Sequence, residues 1–310
     1  MLKSNIVMKL TNKKIICPNN LITKAKNKGT KKAAIVNAGN ALAIHSVQKA
    51  VELKLIDPIF IGDENKIIEH AKKANWDISS FSIIHEPDEN STALVAAKLA
   101  SEGKVQILIK GHIHTDILMK AVLKRDLELI GKKRLSHIWH MTSEENDAPL
   151  IITDGALNVL PKIETKMHIL KNAIAFANSI DIAKPKVAIL SATEEILESM
   201  PSSMEANQIT LKAKAENINA EIFGPLAFDN AISEKAAEIK GIKNAVAGKA
   251  DILLVPNIET GNALVKMLIY FMGACAAGVV VGGKVPVVIT SRADDVEARL
   301  ASIAAAIVAL

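Results

Sequence analysis

Aromatic side chains are scarce in this sequence: two Trp, one Tyr and six Phe in 310 residues. The interior is therefore built from Ile, Leu, Val and Ala, and recognition of single-stranded nucleic acid by base stacking lacks its platform. Cysteine is nearly absent. Cys17 and Cys275 stand alone with no CxxC pair, so neither a zinc site nor a disulfide framework is written here, and the two fit a reducing compartment. Arginine is also rare, with four residues (Arg125, Arg134, Arg292, Arg299) among 38 basic ones. A chain that writes its positive charge as Lys, yet places Arg at 292, points to a planar bidentate contact there. The stretch MLKSNIVMKLTNKK lacks the apolar core of a secretory signal. Of the apolar runs only Met267 to Gly283 nears membrane-spanning length, and Gly273, Gly278 and Gly282-Gly283 divide it into a helix end, a turn and a short strand. These absences describe a cytoplasmic protein with no membrane segment.

What is present is an ordinary globular mixture, 49% hydrophobic and 23% charged. The length exceeds one usual hydrophobic core, so two domains or one large α/β domain is expected. The net charge of +5 is spread among acids, and its densest run, KNKGTKK, reads as a solvated lysine face, not as a nucleic-acid patch.

Short β-branched runs alternate with longer helical stretches. KAAIV (32–36), PIFIG (58–62), FSIIH (81–85) and VQILIK (105–110) each precede a helical segment, with Asp63 as a helix cap and Gly103 as a helix stop. Four such units in succession predict a mainly parallel sheet with helices on its faces. A polar break at EENDAPL (144–150) suggests a boundary, after which the alternation resumes with PLIIT, KVAIL, AEIF and DILLVP, and closes with GVVVGG, VPVVIT and a C-terminal helix. Ligands of open α/β sheets bind where strands end and loops lead into helices. The loops to read are therefore KGHIHTD, ITDG, LSATEE, VPNIETGN and ITSRADD.

GVVVGGK (278–284) matches the first part of a phosphate-binding loop, but Val285 stands where Ser or Thr is required and a strand follows instead of a helix, so the match is fortuitous. GHIHTD presents His112, His114 and Asp116 at a strand end. His137 and His140 supply no ligand spacing that completes a metal site, so no metal is expected, and the loop reads as an anion or substrate contact. In VPNIETGN, Glu259 and Thr260 read as helix caps, and Gly261 permits close backbone approach to a ligand. In VPVVITSRADD, Ser291 and Asp294 have the spacing of a capping box, and Asp294 and Asp295 complement the helix dipole. Arg292 adds a cation to a helix start that already favours anions, which predicts a phosphate-sized anion site with a hydroxyl beside it.

Taken together, LIKGHIHTDILMKAV, RLSHIWHM, PLIITDGALN, GPLAFDNAIS and the C-terminal ADILLVPNIETGNALVKMLIYFMGACAAGVVVGGKVPVVITSRADDVEARL resemble, in order, the phosphate acetyl/butyryl transferase family. The resemblance runs from about residue 20 to the end. It implies exchange of a short acyl group between CoA and inorganic phosphate by direct transfer in a ternary complex, with CoA and phosphate as substrates and no tightly bound cofactor. The acetyl or butyryl chain length stays open, as do a carrier-protein substrate and a non-catalytic binding module. The implied fold is two α/β domains of the isocitrate/isopropylmalate dehydrogenase type, three-layer α/β/α, with mostly parallel sheets and the active site in the interdomain cleft. The corresponding division is 1–148 with 286–310 as one domain and 149–285 as the other, in a homodimer.

On the matching motif positions the resemblance assigns Ser291 to stabilising the reacting carbonyl and Arg292 to the substrate. It places Thr290, Lys110, His112, His114, Thr115, Gly261 and Asn262 as substrate contacts. Acetyl-transferring members carry an aspartate six residues after the arginine, where this chain has Ala298; Asp294 takes its place as the expected general base.

Overall fold

The computed structural model describes residue 11 and residues 13–144, 146–290 and 294–310. Ser291 and Arg292 lie outside the described residues. The strands are β1 (Lys31–Val36), β2 (Ile56–Gly62), β3 (Ser82–His85), β4 (Ile107–Lys110), β5 (Ser136–Ser143), β6 (Asn146–Thr153), β7 (Lys186–Leu190), β8 (Glu221–Leu226), β9 (Ile252–Leu254), β10 (Cys275–Val281) and β11 (Val287–Val288). They form one 11-stranded sheet in the order β3-β2-β1-β4-β11-β10-β5-β6-β9-β7-β8.

Both flanks of the sheet are parallel, as the βα alternation predicts. The centre is antiparallel: β10 pairs β11 on one side and β5 on the other, and β5 pairs β6. The two flanks are thus joined through this seam into one sheet and are not two separate sheets. Strand β5 was absent from the expected elements. Its sequence SHIWHMTS lacks the β-branched run by which the other strands announce themselves.

Alternation along the strands separates two faces. One face carries a core continuous from end to end, including Ile35, Phe60, Ile109, Val288, Val279, Ile138, Ile151, Ile252 and Val187. Helices Ala41–Glu52, Ile163–Ser179 and Val296–Val308 cover it. The opposite face carries two separate clusters. One, around Val36, Leu108 and Val287, lies under helices Glu89–Ser101 and Thr115–Val122; the other, around Trp139, Ile152, Leu253 and Ala276, lies under helix Ile258–Met272. Helix Val296–Val308 is buried from Ala298 to Val308, which only its nearly unbroken apolar sequence permits.

Local signals behave as chemistry requires. Asp63 caps helix Glu64–Lys73, accepting from the backbone N–H of Asn65 and Lys66. The long apolar run is split by Gly273, whose φ of 68° ends helix Ile258–Met272 before β10 begins. No helix among the described residues is long and apolar enough to cross a membrane. GVVVGGK holds no phosphate loop: β10 ends at Val281, and the Lys284 ammonium donates to the Ser101 carbonyl at 2.7 Å.

Candidate active site

A cleft of about 760 Å³ opens on the face where the two hydrophobic clusters part. Its size suits a small-molecule ligand. His137 and Trp139 of β5 form part of its wall, residues two apart on one strand and so on one face. Ile289 and Thr290 approach from the end of β11, and Thr115 from the first turn of helix Thr115–Val122. Helix Ile258–Met272 contributes Asn262 and Lys266, one turn apart, and Gly155 follows β6.

Three local features build this wall. Gly155 and Gly261 lie back to back: a side chain on Gly261 would meet the Gly155 Cα at 2.6 Å, so the loop after β6 and the helix touch through backbone. Gly278, opposite Trp139 in the β10–β5 register, leaves the space that the His137 and Trp139 rings fill; a Cβ there would sit 2.8 Å from Trp139 Cζ3 and 3.0 Å from His137 Cε1. The buried Asp154 carboxylate ties strand to loop. It accepts from the His137 backbone N–H at 2.9 Å and from Asn158 Nδ2 at 2.6 Å with one oxygen, and from the Ala156 and Leu157 N–H groups at 3.0 and 2.9 Å with the other.

The His137 ring packs on Trp139 with centroids 4.5 Å apart. Burial pushes its pKa down to about 4, against the opposing pull of the Asp154 charge and the Ile289 backbone, so the imidazole is neutral at neutral pH. The Ile289 backbone draws on the ring, and among the described residues neither ring nitrogen has a side-chain partner. His140 points to the other face, edge-on to Phe176, and burial likewise pushes it down to about 4. A smaller pocket of about 200 Å³ adjoins the cleft, with Lys266 lining both and Asp294, Asp295 and Ala298 on its wall. No group of three or more His, Cys, Asp or Glu among the described residues could hold a metal ion.

Residues 85–307 match the protein family described as phosphate acetyl/butaryl transferase. The chain belongs to this family. It is 39% identical to a phosphate butyryltransferase of Clostridium acetobutylicum over 93% of its own length and 96% of that protein. It is 42% identical to a phosphate acetyltransferase of Rhizobium meliloti over 83% of its length and 82% of that protein. A branched-chain phosphotransacylase from Enterococcus faecalis V583 has the same fold, with a TM-score of 0.79 at 32% identity, covering 90% of this chain and 98% of that one.

Against that family background, the cleft brings together Thr115, Asn262 and Thr290 of the residues expected from sequence. Gly261 lies directly behind Asn262, and its close approach is to the backbone of Gly155, in the place where a ligand was expected. Lys110 is buried at the end of β4, while His112 is exposed and His114 precedes helix Thr115–Val122; none of the three lines the cleft. The turn they occupy is held through backbone, with the His112 N–H donating to the Asn37 carbonyl at 2.8 Å and Asn37 Nδ2 to the His112 carbonyl at 2.7 Å. The expected capping box is corrected. Asp295 caps the last helix by accepting from the Ala298 N–H at 2.9 Å, because the helix begins only at Val296. Asp294 is therefore not the cap; its carbonyl accepts from Arg299 Nε at 3.2 Å. Sequence reading missed His137 and Trp139 as site residues. Their signal was two rings at alternate positions of one strand, with a glycine opposite.

Proposed function

We propose that this acyltransferase exchanges a short acyl group between CoA and inorganic phosphate, by direct transfer in a ternary complex within the cleft. The observation that carries the reading is the convergence of Thr115 and Asn262, each from the start of a helix, and Thr290, from the end of β11, onto one cleft, with Ser291 and Arg292 following Thr290 in the chain. A phosphate oxygen attacks the thioester carbonyl carbon, a C–O bond forms, and the carbonyl electron pair moves onto oxygen. The C–S bond then breaks with its pair on sulfur, releasing CoA thiolate and acyl phosphate. In this reading Arg292 holds phosphate by its bidentate fork and Ser291 donates to the oxyanion. In the reverse direction the CoA thiol must lose its proton, and Asp294 in the adjoining pocket is the base. CoA and phosphate are substrates, and no bound cofactor takes part.

The division into 1–148 with 286–310 and 149–285 belongs to the same proposal, supported by the strand order, which gathers β1 to β4 with β11 on one side and β6 to β9 on the other, with β5 alone lying across the boundary. A homodimer is supported by the exposed apolar side chains Met267, Tyr270 and Met272 on helix Ile258–Met272. A cytoplasmic site is supported by the two free, buried thiols.

The deciding experiment follows free thiol from acetyl-, propionyl- and butyryl-CoA with and without phosphate. Phosphate-dependent release is expected, and the relative rates assign the acyl length, each methylene changing binding by about 0.8 kcal/mol. A folded protein that binds phosphate without releasing thiol rejects the reading in favour of a binding module or a carrier-protein substrate. Arg292→Ala is expected to raise the KM for phosphate at least about tenfold, roughly 1.4 kcal/mol, and to lower turnover; unchanged kinetics reject its phosphate role. Asp294→Asn is expected to flatten the pH–rate profile of the thiol-consuming direction. A profile of unaltered shape removes Asp294 as base.

A further inference from the structure

Helix Ile258–Met272 runs along both cavities. Its Glu259, Asn262 and Lys266 line the cleft, and Lys266, Tyr270 and the following Gly273 line the smaller pocket. These positions are three or four residues apart and so share one face of the helix, with Lys266 at the junction. At 1.5 Å per residue the stripe from Glu259 to Gly273 is about 21 Å long, the scale of an extended molecule. The other charges along it are mostly acidic: Glu259 in the cleft, Asp294 and Asp295 in the pocket. Lys13 reaches the smaller pocket alone. Among the described residues that line the cleft, Lys266 is the one cation. It is half-buried, and among the described residues it forms no ion pair with any of these carboxylates. Its ammonium instead stands over the Tyr270 ring, 5.9 Å from the centroid. A ring holds a cation without neutralising it, so the full charge stays available to a ligand. An anion entering cavities that carry three carboxylates is repelled unless a cation meets it.

We propose that Lys266 is a substrate contact of the transfer reaction, whose ammonium binds a phosphoryl group of the substrate at the junction of the two cavities. The inference rests on the acyl-transfer reading and adds to it a cation that the Ser-Arg motif does not contain. Two reactants present such a group: CoA, through its diphosphate and ribose phosphate, and inorganic phosphate. CoA is the expected source, because Arg292 already meets inorganic phosphate in that reading and the stripe has the length of an extended molecule. Lysine suits the contact, since three donors on a flexible stem can follow a phosphoryl oxygen without a fixed fork geometry. Tyr270 is the positioning residue, keeping the ammonium at the junction and away from Asp294 and Asp295.

Calorimetric titration reads the contact without turnover. CoA and inorganic phosphate are titrated separately into the wild type and into Lys266→Met, which keeps the stem and removes the charge. CoA is expected to bind the variant about tenfold more weakly, with phosphate affinity within about twofold, and Lys266→Arg to recover most of the loss. The difference between wild type and Lys266→Met is expected to shrink several-fold from low to high salt, a dependence that lost packing does not produce. If Lys266→Met does not fold, Lys266→Gln takes its place. In the thiol-release assay the KM for acetyl-CoA is expected to rise about tenfold, while S-acetylpantetheine, a thioester without a phosphoryl group, serves both proteins equally. Weaker binding of phosphate in place of CoA upholds the contact and assigns it to the inorganic ion. Unchanged affinity for both overturns the inference; phosphate-dependent thiol release by the wild type then leaves the acyl-transfer reading standing. Weaker CoA binding by Lys266→Met, with no phosphate-dependent release by the wild type, upholds the contact and rejects that reading instead. A wild type that binds neither ligand overturns both.

Discussion

Asp154→Ala is expected to destabilise the fold by at least about 4 kcal/mol, placing it among the most damaging single substitutions in the chain. The carboxylate is 2% exposed and accepts four hydrogen bonds, two from loop N–H groups, one from the His137 N–H and one from Asn158 Nδ2. Alanine leaves those donors without an acceptor, at about 1–3 kcal/mol for each that water cannot reach. Asp154→Asn separates the hydrogen-bond account from simple loss of volume. An amide can still accept from Ala156 and Leu157, but its NH2 then faces two other donors, so most of the loss is expected to persist. Urea unfolding measures both variants. A midpoint for Asp154→Asn within about 1 kcal/mol of wild type, at unchanged slope, rejects this account. The carboxylate sits between β5 and the loop carrying Gly155, so the surviving folded fraction is also expected to bind acetyl-CoA more weakly.

The second large effect is loss of stability in mild acid. His137 and His140 are both held near a pKa of 4 by burial, against an unfolded value of about 6.5. Between those values the unfolded chain takes up protons that the folded chain refuses, so stability rises with pH across this window. Conversely, it is lost as pH falls from about 6.5 to about 4, and below that the histidine contribution is flat. Each ring contributes on the order of 3 kcal/mol across the window. Carboxylates that titrate in the lower half of the window add to the slope. The His137→Gln/His140→Gln double variant is the control, because glutamine does not titrate. Its stability between pH 6.5 and 5 is expected to change much less than that of wild type, and an equal slope in both proteins removes the histidines as the cause.

The parallel flanks were legible because each strand and helix there is a local signal. A β-branched run, an Asp cap and a glycine stop lie within a few residues of one another. The antiparallel seam was not legible, since β10 and β5 meet across more than a hundred residues and no local pattern records the pairing. Strand β5 was hidden for a further reason. One of its faces lines the cleft and carries His137 and Trp139, so its pattern is not the β-branched run that marks the other strands. Of the residues expected at the site, Thr115, Asn262 and Thr290 do share one cleft, because each lies near the end of a strand of the same sheet. Asp154 was not legible, because its partners are mostly backbone N–H groups, which sequence does not display. The cap was expected at Ser291, with Asp294 as its box partner, and falls four residues later at Asp295, a choice made by where the helix begins.

The centre of the sheet holds strands that come late in the sequence, β10 and β11, between strands that come earlier. Strand β11 fills the position between β4 and β10, and the helix after it lies against the continuous core. On a ribosome the flanking strands emerge first, yet the slot between them stays vacant until Val287 and the residues after it clear the exit tunnel. Until then β4 and β10 each present an unpaired edge, which is the surface that chaperones cover and neighbouring nascent chains misuse. A chain stalled or truncated before Val287 is therefore not a slightly shorter enzyme but a substrate for quality control.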